Sequence, residues 1–266
     1  MDTVKLYLRS MKMQLKCQMQ YPASFFLQTL AQFVMEAGEL LAVILIVDRF
    51  ESLNQWGAGD LYFFFGLMSV TFYLTECFGR GVTGAFPSMV RSGQVDTLLL
   101  RPRGVLTQVM CWAMDPRRFA CIAVGTAALI LGSRMAAVRW TVLKALALAE
   151  AIVLGGVMIL GLFLIEGIFV IHSVKSVELV NGLTYGGRSA CEYPIDVYPR
   201  PLRVLFTVAA PFALVLQVPA AYILGKPLYG WPGWTAFVCP LAGLVSFGTF
   251  YALFQRAMRF YRSTGS

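Results

Sequence analysis

Five glutamates, Glu36, Glu39, Glu76, Glu150 and Glu166, stand inside stretches that are otherwise apolar. A carboxylate at bilayer depth is costly, so each is a candidate for function before it is a candidate for packing. Glu36 and Glu39 are three residues apart, which places them on one face of a helix. Three roles are open to them: burial against polar partners or a wet cleft between subunits, direct contact with a substrate, and proton coupling. Glu36, Glu39, Glu76 and Glu166 are the positions expected along a translocation path.

Other chemistry is poorly supplied. The phosphate-binding pattern G-x-x-x-x-G-K-[ST] is missing, and the Gly225-Lys226 pair lacks the other glycine. His172 is the only histidine, which removes multi-histidine metal sites and leaves histidine-assisted nucleophilic catalysis without support. Gly79-Arg80-Gly81-Val82-Thr83-Gly84 matches the spacing of a dinucleotide loop, but it follows a long apolar helix where that loop needs a strand. The six cysteines, Cys17, Cys77, Cys111, Cys121, Cys191 and Cys239, lie far apart and read as buried reduced thiols. No catalytic residue, metal site or cofactor is expected on this chain.

One polar stretch carries a compact unit. Gly93-Gln94-Val95-Asp96-Thr97-Leu98-Leu99-Leu100-Arg101-Pro102 is helix-sized and stopped by its proline. Asp96 in the first turn and Arg101 at the end both suit the helix dipole. Leu98, Leu99 and Leu100 need something to cover them, either lipid headgroups or a groove on a partner.

The elements that position these residues follow from composition. Of the 266 residues, 58% are apolar and only 14% charged, where soluble domains carry about 25% charge. The apolar residues gather in runs of about 20, the length that spans roughly 30 Å of hydrocarbon. The chain therefore reads as one all-α membrane domain, 1–266, with six spans near 25–47, 61–80, 119–138, 142–171, 204–224 and 235–254. Residues 1–22 alternate Lys5, Arg9, Lys12 and Lys16 with apolar positions, as in a helix lying on the membrane surface. The run that follows is too long for a signal peptide, and it leads to Asp48-Arg49-Phe50 where a signal peptide would have a small-residue cleavage site. Asp115 and Pro116 are a cap and first position for the third span. Residues 82–118 and 172–203 are expected outside the bilayer as two cytoplasmic loops.

Net charge is +8, which in a soluble chain would suggest nucleic acid. In a membrane chain the basic residues collect on the cytoplasmic side. Six spans put seventeen of the 22 Lys and Arg residues on the side of the termini and five on the other. Both termini are therefore expected in the cytoplasm, and no nucleic-acid partner is needed.

The unit Gly93 to Pro102 resembles the loop between the second and third spans of the permease subunits of type-2 ATP-binding cassette exporters, in the six-span bacterial family related to daunorubicin-resistance permeases. Three further runs resemble the family in order: Asp115-Pro116-Arg117-Arg118, Tyr193 to Pro199 ahead of Pro211 and Pro219, and the ending Tyr261 to Ser266. Arg103 and Gly104 follow the Arg101-Pro102 pair where less basic residues are expected, a departure from the family pattern. The resemblance implies a multi-pass permease of the bacterial plasma membrane that is not itself an enzyme. It implies docking through Gly93, Asp96, Leu98, Leu99, Leu100, Arg101 and Pro102 onto separate cytoplasmic ATPase subunits, which would use the ATP and Mg. It also implies a second permease copy or a related chain, in contact with membrane lipid. An ion-coupled carrier working through the intramembrane carboxylates is the alternative.

Overall fold

A computed structural model describes residues 3–50, 55–172, 177–226 and 230–261, and every regular element among them is helical. α1 (Thr3–Gln18) leads through a turn into α2 (Pro22–Phe50), whose proline sits where a missing N–H is harmless. α3 (Ala58–Arg80) starts at Gly57, whose N–H is held by Asp60 Oδ2 at 2.8 Å. It widens into a π turn, Gly81–Ala85, and continues as α4 (Phe86–Arg91). α5 (Gln94–Leu99) and α6 (Val105–Met110) complete the intervening segment. A 3₁₀ turn at Pro116–Arg118, capped by the Asp115 side chain as the sequence suggests, opens α7 (Phe119–Met135). α8 (Val142–His172) follows.

α3 is the axis of the bundle. α7 and α8 pack along it, and α13 (Ala242–Arg259) packs on α8. Phe63, Phe64, Phe65 and Phe72 are buried on α3, so its aromatic richness is core. Of the most apolar window in each helix, 72% of residues are buried in α3 but 11% in α2. α2 therefore presents most of its surface outward.

Five helices are long and apolar enough to cross a membrane, six if one bent pair counts as a span. That agrees with an all-helical membrane protein, but two segments differ from expectation. Within residues 172–203, expected as a loop, Val177–Cys191 is a helix, α9, packed against α3 and α8. Tyr185 on α9 reaches Glu76 near the C-terminal end of α3. Asp196 accepts the indole N–H of Trp56, beside the N-terminal end of α3, at 3.0 Å. The chain from 185 to 196 thus runs the length of α3. Of the glycines that suggested a loop, Gly187 instead allows close packing, since a Cβ there would stand 2.8 Å from the Phe212 ring. Residues 173–176 lie outside the described residues.

The second difference is at 204–224, expected as one span. Arg200–Ala209 and Ala213–Leu224 are two helical arms bent by 82°. α10 (Arg200–Val204) ends in a π turn, Leu205–Ala209, and the chain breaks at Ala210-Pro211, where proline offers no N–H. A second π turn, Ala213–Gln217, leads into α11 (Val218–Leu224). Both arms begin and finish at one end of the bundle. Arg203 donates to the carbonyl of Asp196 at 2.9 Å, and Lys226 donates to that of Gln55 at 2.9 Å. The pair is an open hairpin, its arms meeting at close to a right angle and its two outer ends anchored at one end of the bundle. α12 (Thr235–Val238) and a 3₁₀ turn at Pro240 then lead into α13.

The opposite end of the bundle gathers α1, the 86–110 segment and the end of α13. Tyr7 Oη donates to the carbonyl of Phe78 at 2.8 Å, and Tyr261 faces Asp96.

Candidate functional site

The buried carboxylates form a charge chain across α2, α3, α7 and α9. Arg188 on α9 is 5% exposed. Its Nη2 reaches Glu36 Oε1 at 2.9 Å, Glu39 Oε2 at 2.8 Å and Glu192 Oε1 at 3.1 Å. Tyr73 donates its hydroxyl to Glu36 Oε2 at 2.6 Å, and its ring lies 4.6 Å from the Arg188 guanidinium carbon. Arg118, at the start of α7, stands 5.4 Å from the same ring and donates to Glu76 Oε1 at 2.9 Å. Arg80 also pairs with Glu76, and Tyr185 donates to it at 2.9 Å.

Three of the expected path residues therefore have cationic partners. Glu36 and Glu39 share Arg188, while Glu76 takes Arg80 and Arg118. Glu166 is buried on α8, with Arg80 and Glu76 as its charged neighbours. The two halves of the chain differ in balance. Around Glu76 and Glu166 there are two cations, whereas Glu36, Glu39 and Glu192 share one guanidinium. The Glu39 side chain is 44% exposed on the outward face of α2, so the acid-rich half opens to the surroundings there. Among the described residues no group of three His, Cys, Asp or Glu side chains is placed to hold a metal ion. The side chain of His172 lies outside the described residues.

The segment carrying the second set of expected residues is held firmly from beneath. Gly93 caps α5 with φ of 69°, a conformation that favours glycine. Val95 and Leu98 are buried, and the carbonyl of Leu98 accepts from Gln108 Nε2 at 2.9 Å. Leu98 thus faces the protein's own core, while Leu99 is 48% and Leu100 87% exposed. Arg101, Pro102 and Arg103 are exposed beside them. Asp96 faces Tyr261, whose hydroxyl is pushed to higher pKa by burial and by that carboxylate.

α6 ties the segment to the bundle axis. A Cβ on Gly81 would lie 1.9 Å from the carbonyl oxygen of Val109, so only glycine allows this backbone contact. α1 adds a second tie: Gln18 Nε2 donates to the carbonyl of Met114 at 2.7 Å, and Gln14 Nε2 donates to that of Trp112. Burial, with Cys111 and Cys77 nearby, raises the Tyr7 phenol to about 12.

Sequence reasoning missed Arg188, Glu192 and Tyr73. The signal was present, because Arg188 and Glu192 are spaced i,i+4 at the end of a helix-length segment. It was hidden by Gly182, Gly186, Gly187 and the following prolines.

No curated protein and no solved structure matches the chain. A family model described as ABC-2 family transporter protein matches residues 33–265. That span takes in the charge chain, the α5–α6 segment and the bent hairpin. A multi-pass helical bundle with this coverage is accounted for by one family, and the chain belongs to the ABC-2 transporter proteins.

Proposed function

We propose that the chain is the membrane-spanning permease subunit of an ATP-driven exporter in the bacterial plasma membrane, and that its α4–α6 segment docks onto separate cytoplasmic ATPase subunits. The observation that carries this reading is the division of the three leucines. Leu98 anchors α5 in the core, while Leu99 and Leu100 stand outward beside Arg101, with no other element of the described chain covering them. Burying one leucine in a partner groove contributes roughly 1.5–3 kcal/mol. A push on α5 would pass through Gly81 and Val109 into α3, since packed elements move as units. ATP and Mg belong to the partner, because this chain lacks a phosphate-binding loop.

In this reading α2, α3, α7, α8, α9 and α13 are the six crossings, and the hairpin of α10 and α11 enters and leaves from the outer side. Arg200 and Arg203 then lie outside and Arg188 within the bilayer, but the basic excess stays with the termini, which are cytoplasmic. The outward face of α2, with Phe26, Phe33 and Leu41 exposed, meets a second permease copy or a related chain. The acid-rich half of the charge chain, reached through Glu39, borders the substrate path between them. An ion-coupled carrier using these carboxylates is not favoured by the family.

Reconstitution tests the reading. Proteoliposomes containing the chain and its cognate ATPase should move substrate only when ATP is supplied and both components are present. Substrate movement by the chain alone on a proton gradient would overturn it.

A further inference from the structure

The bend of the hairpin leaves backbone groups open inside the bundle. Its first arm, Arg200–Ala209, finishes just before Pro211, which has no N–H to give. The N–H of Ala210 returns to the Leu205 carbonyl at 3.1 Å, and that of Phe212 goes to the Ala210 carbonyl at 2.6 Å. Among the described residues, no backbone N–H is left to reach the carbonyls of Thr207, Val208 and Ala209. This end of the arm lies deep. Phe212 packs on Gly187, and the next residue, Arg188, binds Glu36, the middle residue of α2. Carbonyls open at that depth need a donor from elsewhere.

They border a groove of about 660 Å³, lined by Leu183 of α9, by Thr207, Val208 and Ala209, and by Val245 and Ser246 of α13. That volume is within the range of about 300–1,000 Å³ usual for small-molecule sites. Thr207 and Thr249 on its wall already donate their hydroxyls to carbonyls one turn back, at 2.6 and 2.8 Å. Ser246 Oγ is buried and has no hydrogen-bond partner among the described residues. No charged side chain borders the groove. A charged head would find no counter-charge there, whereas a hydroxyl can donate to an open carbonyl and accept from Ser246.

We propose that this groove binds a neutral amphiphile, its hydroxyl head donating to the open carbonyls of the first arm and its apolar chain lying along Val245 and Phe250 of α13. This goes beyond the transport reading, and occupancy needs neither the ATPase nor ATP.

The test is photolabelling of the full purified chain in nanodiscs of phosphatidylcholine, whose headgroup carries no hydroxyl. The probes are hexadecanol with a diazirine near its hydroxyl and the methyl ether of the same molecule. The alcohol is expected to label residues 207–214 and 242–250 about two- to tenfold more than the ether, the worth of one neutral hydrogen bond. Excess unlabelled hexadecanol should suppress that labelling, and on the outward face of α2 the two probes should label alike. Pro211→Ala supplies an N–H four residues after Thr207 and should bring the ratio in the groove towards one, with a melting temperature near wild type. Ser246→Ala, which leaves the backbone as it is, should also lower the ratio. Equal labelling of the wild-type groove by alcohol and ether would overturn the proposal and leave the carbonyls to water. So would a ratio that neither variant changes, or a groove labelled by neither probe, which would give it to a second permease copy.

Discussion

Gln217 on the hairpin ties down the start of the unwound stretch after α9 at three points: its Oε1 accepts the N–H of Ile195 at 2.8 Å, and its Nε2 donates to the carbonyls of Cys191 and Tyr193. Backbone groups without a regular helical partner need such satisfaction at membrane depth. Gln217→Leu leaves all three unpaired in a site that is 1% exposed. Each unsatisfied buried group costs about 1–3 kcal/mol, so the detergent-purified variant should melt well below wild type. Gln217→Glu, which keeps the acceptor for Ile195, should lose less. A Gln217→Leu midpoint equal to wild type would show that the hairpin does not hold this stretch.

Arg188 supplies the single cation for three carboxylates. Removing one partner of a buried ion pair costs about 3–5 kcal/mol because the other charge is left uncompensated. Arg188→Leu is therefore expected to lower thermal stability more than Glu39→Gln, whose target is half outside the network. Glu36→Gln retains a hydrogen-bonding oxygen for Tyr73 and should fold, with altered transport. Ranking the melting temperatures and transport rates of the three variants checks this order.

The contact of Gly81 with Val109 gives a separate prediction. Gly81→Ala places a methyl carbon where the Val109 carbonyl now stands, so α6 must shift away from α3. The expected outcome is continued ATPase binding with a loss of transport per ATP hydrolysed. Transport and hydrolysis measured together in proteoliposomes decide it, and unchanged coupling would mean that motion does not pass through α6.

Much of the fold is legible in the sequence because long apolar runs have few alternatives. α2, α3, α7 and α8 lie close to their expected positions, and Asp115-Pro116 marks the start of its helix. The sequence fails where one element's polarity is cancelled by another's. Arg188 and Glu192 look solvent-exposed until Glu36 and Glu39 are brought alongside them, and no local pattern reports a pairing across some 150 positions. The bend is missed for a related reason: residues 204–224 have the length and apolarity of a span, and the Ala210-Pro211 break bends them by 82° without altering that apolarity. Among the residues proposed for docking, helical spacing separates Leu98 from Leu99 and Leu100, but which side meets the core depends on α6 and Gln108.

The membrane path of α9 is open to labelling. In a chain whose native cysteines are replaced, a cysteine at Arg200 should react with an impermeant thiol reagent from the side opposite to one at Gln94. Reaction of both from the same side would return residues 172–203 to a cytoplasmic loop.

The most direct measurement is photocrosslinking from position 100 in membranes that contain the cognate ATPase. A photoreactive residue replacing Leu100 should give a permease–ATPase adduct, weakened when Leu99→Asp is added, whereas one replacing the buried Leu98 should give little. An adduct absent from position 100 but formed from positions on the hairpin would contradict docking through α5.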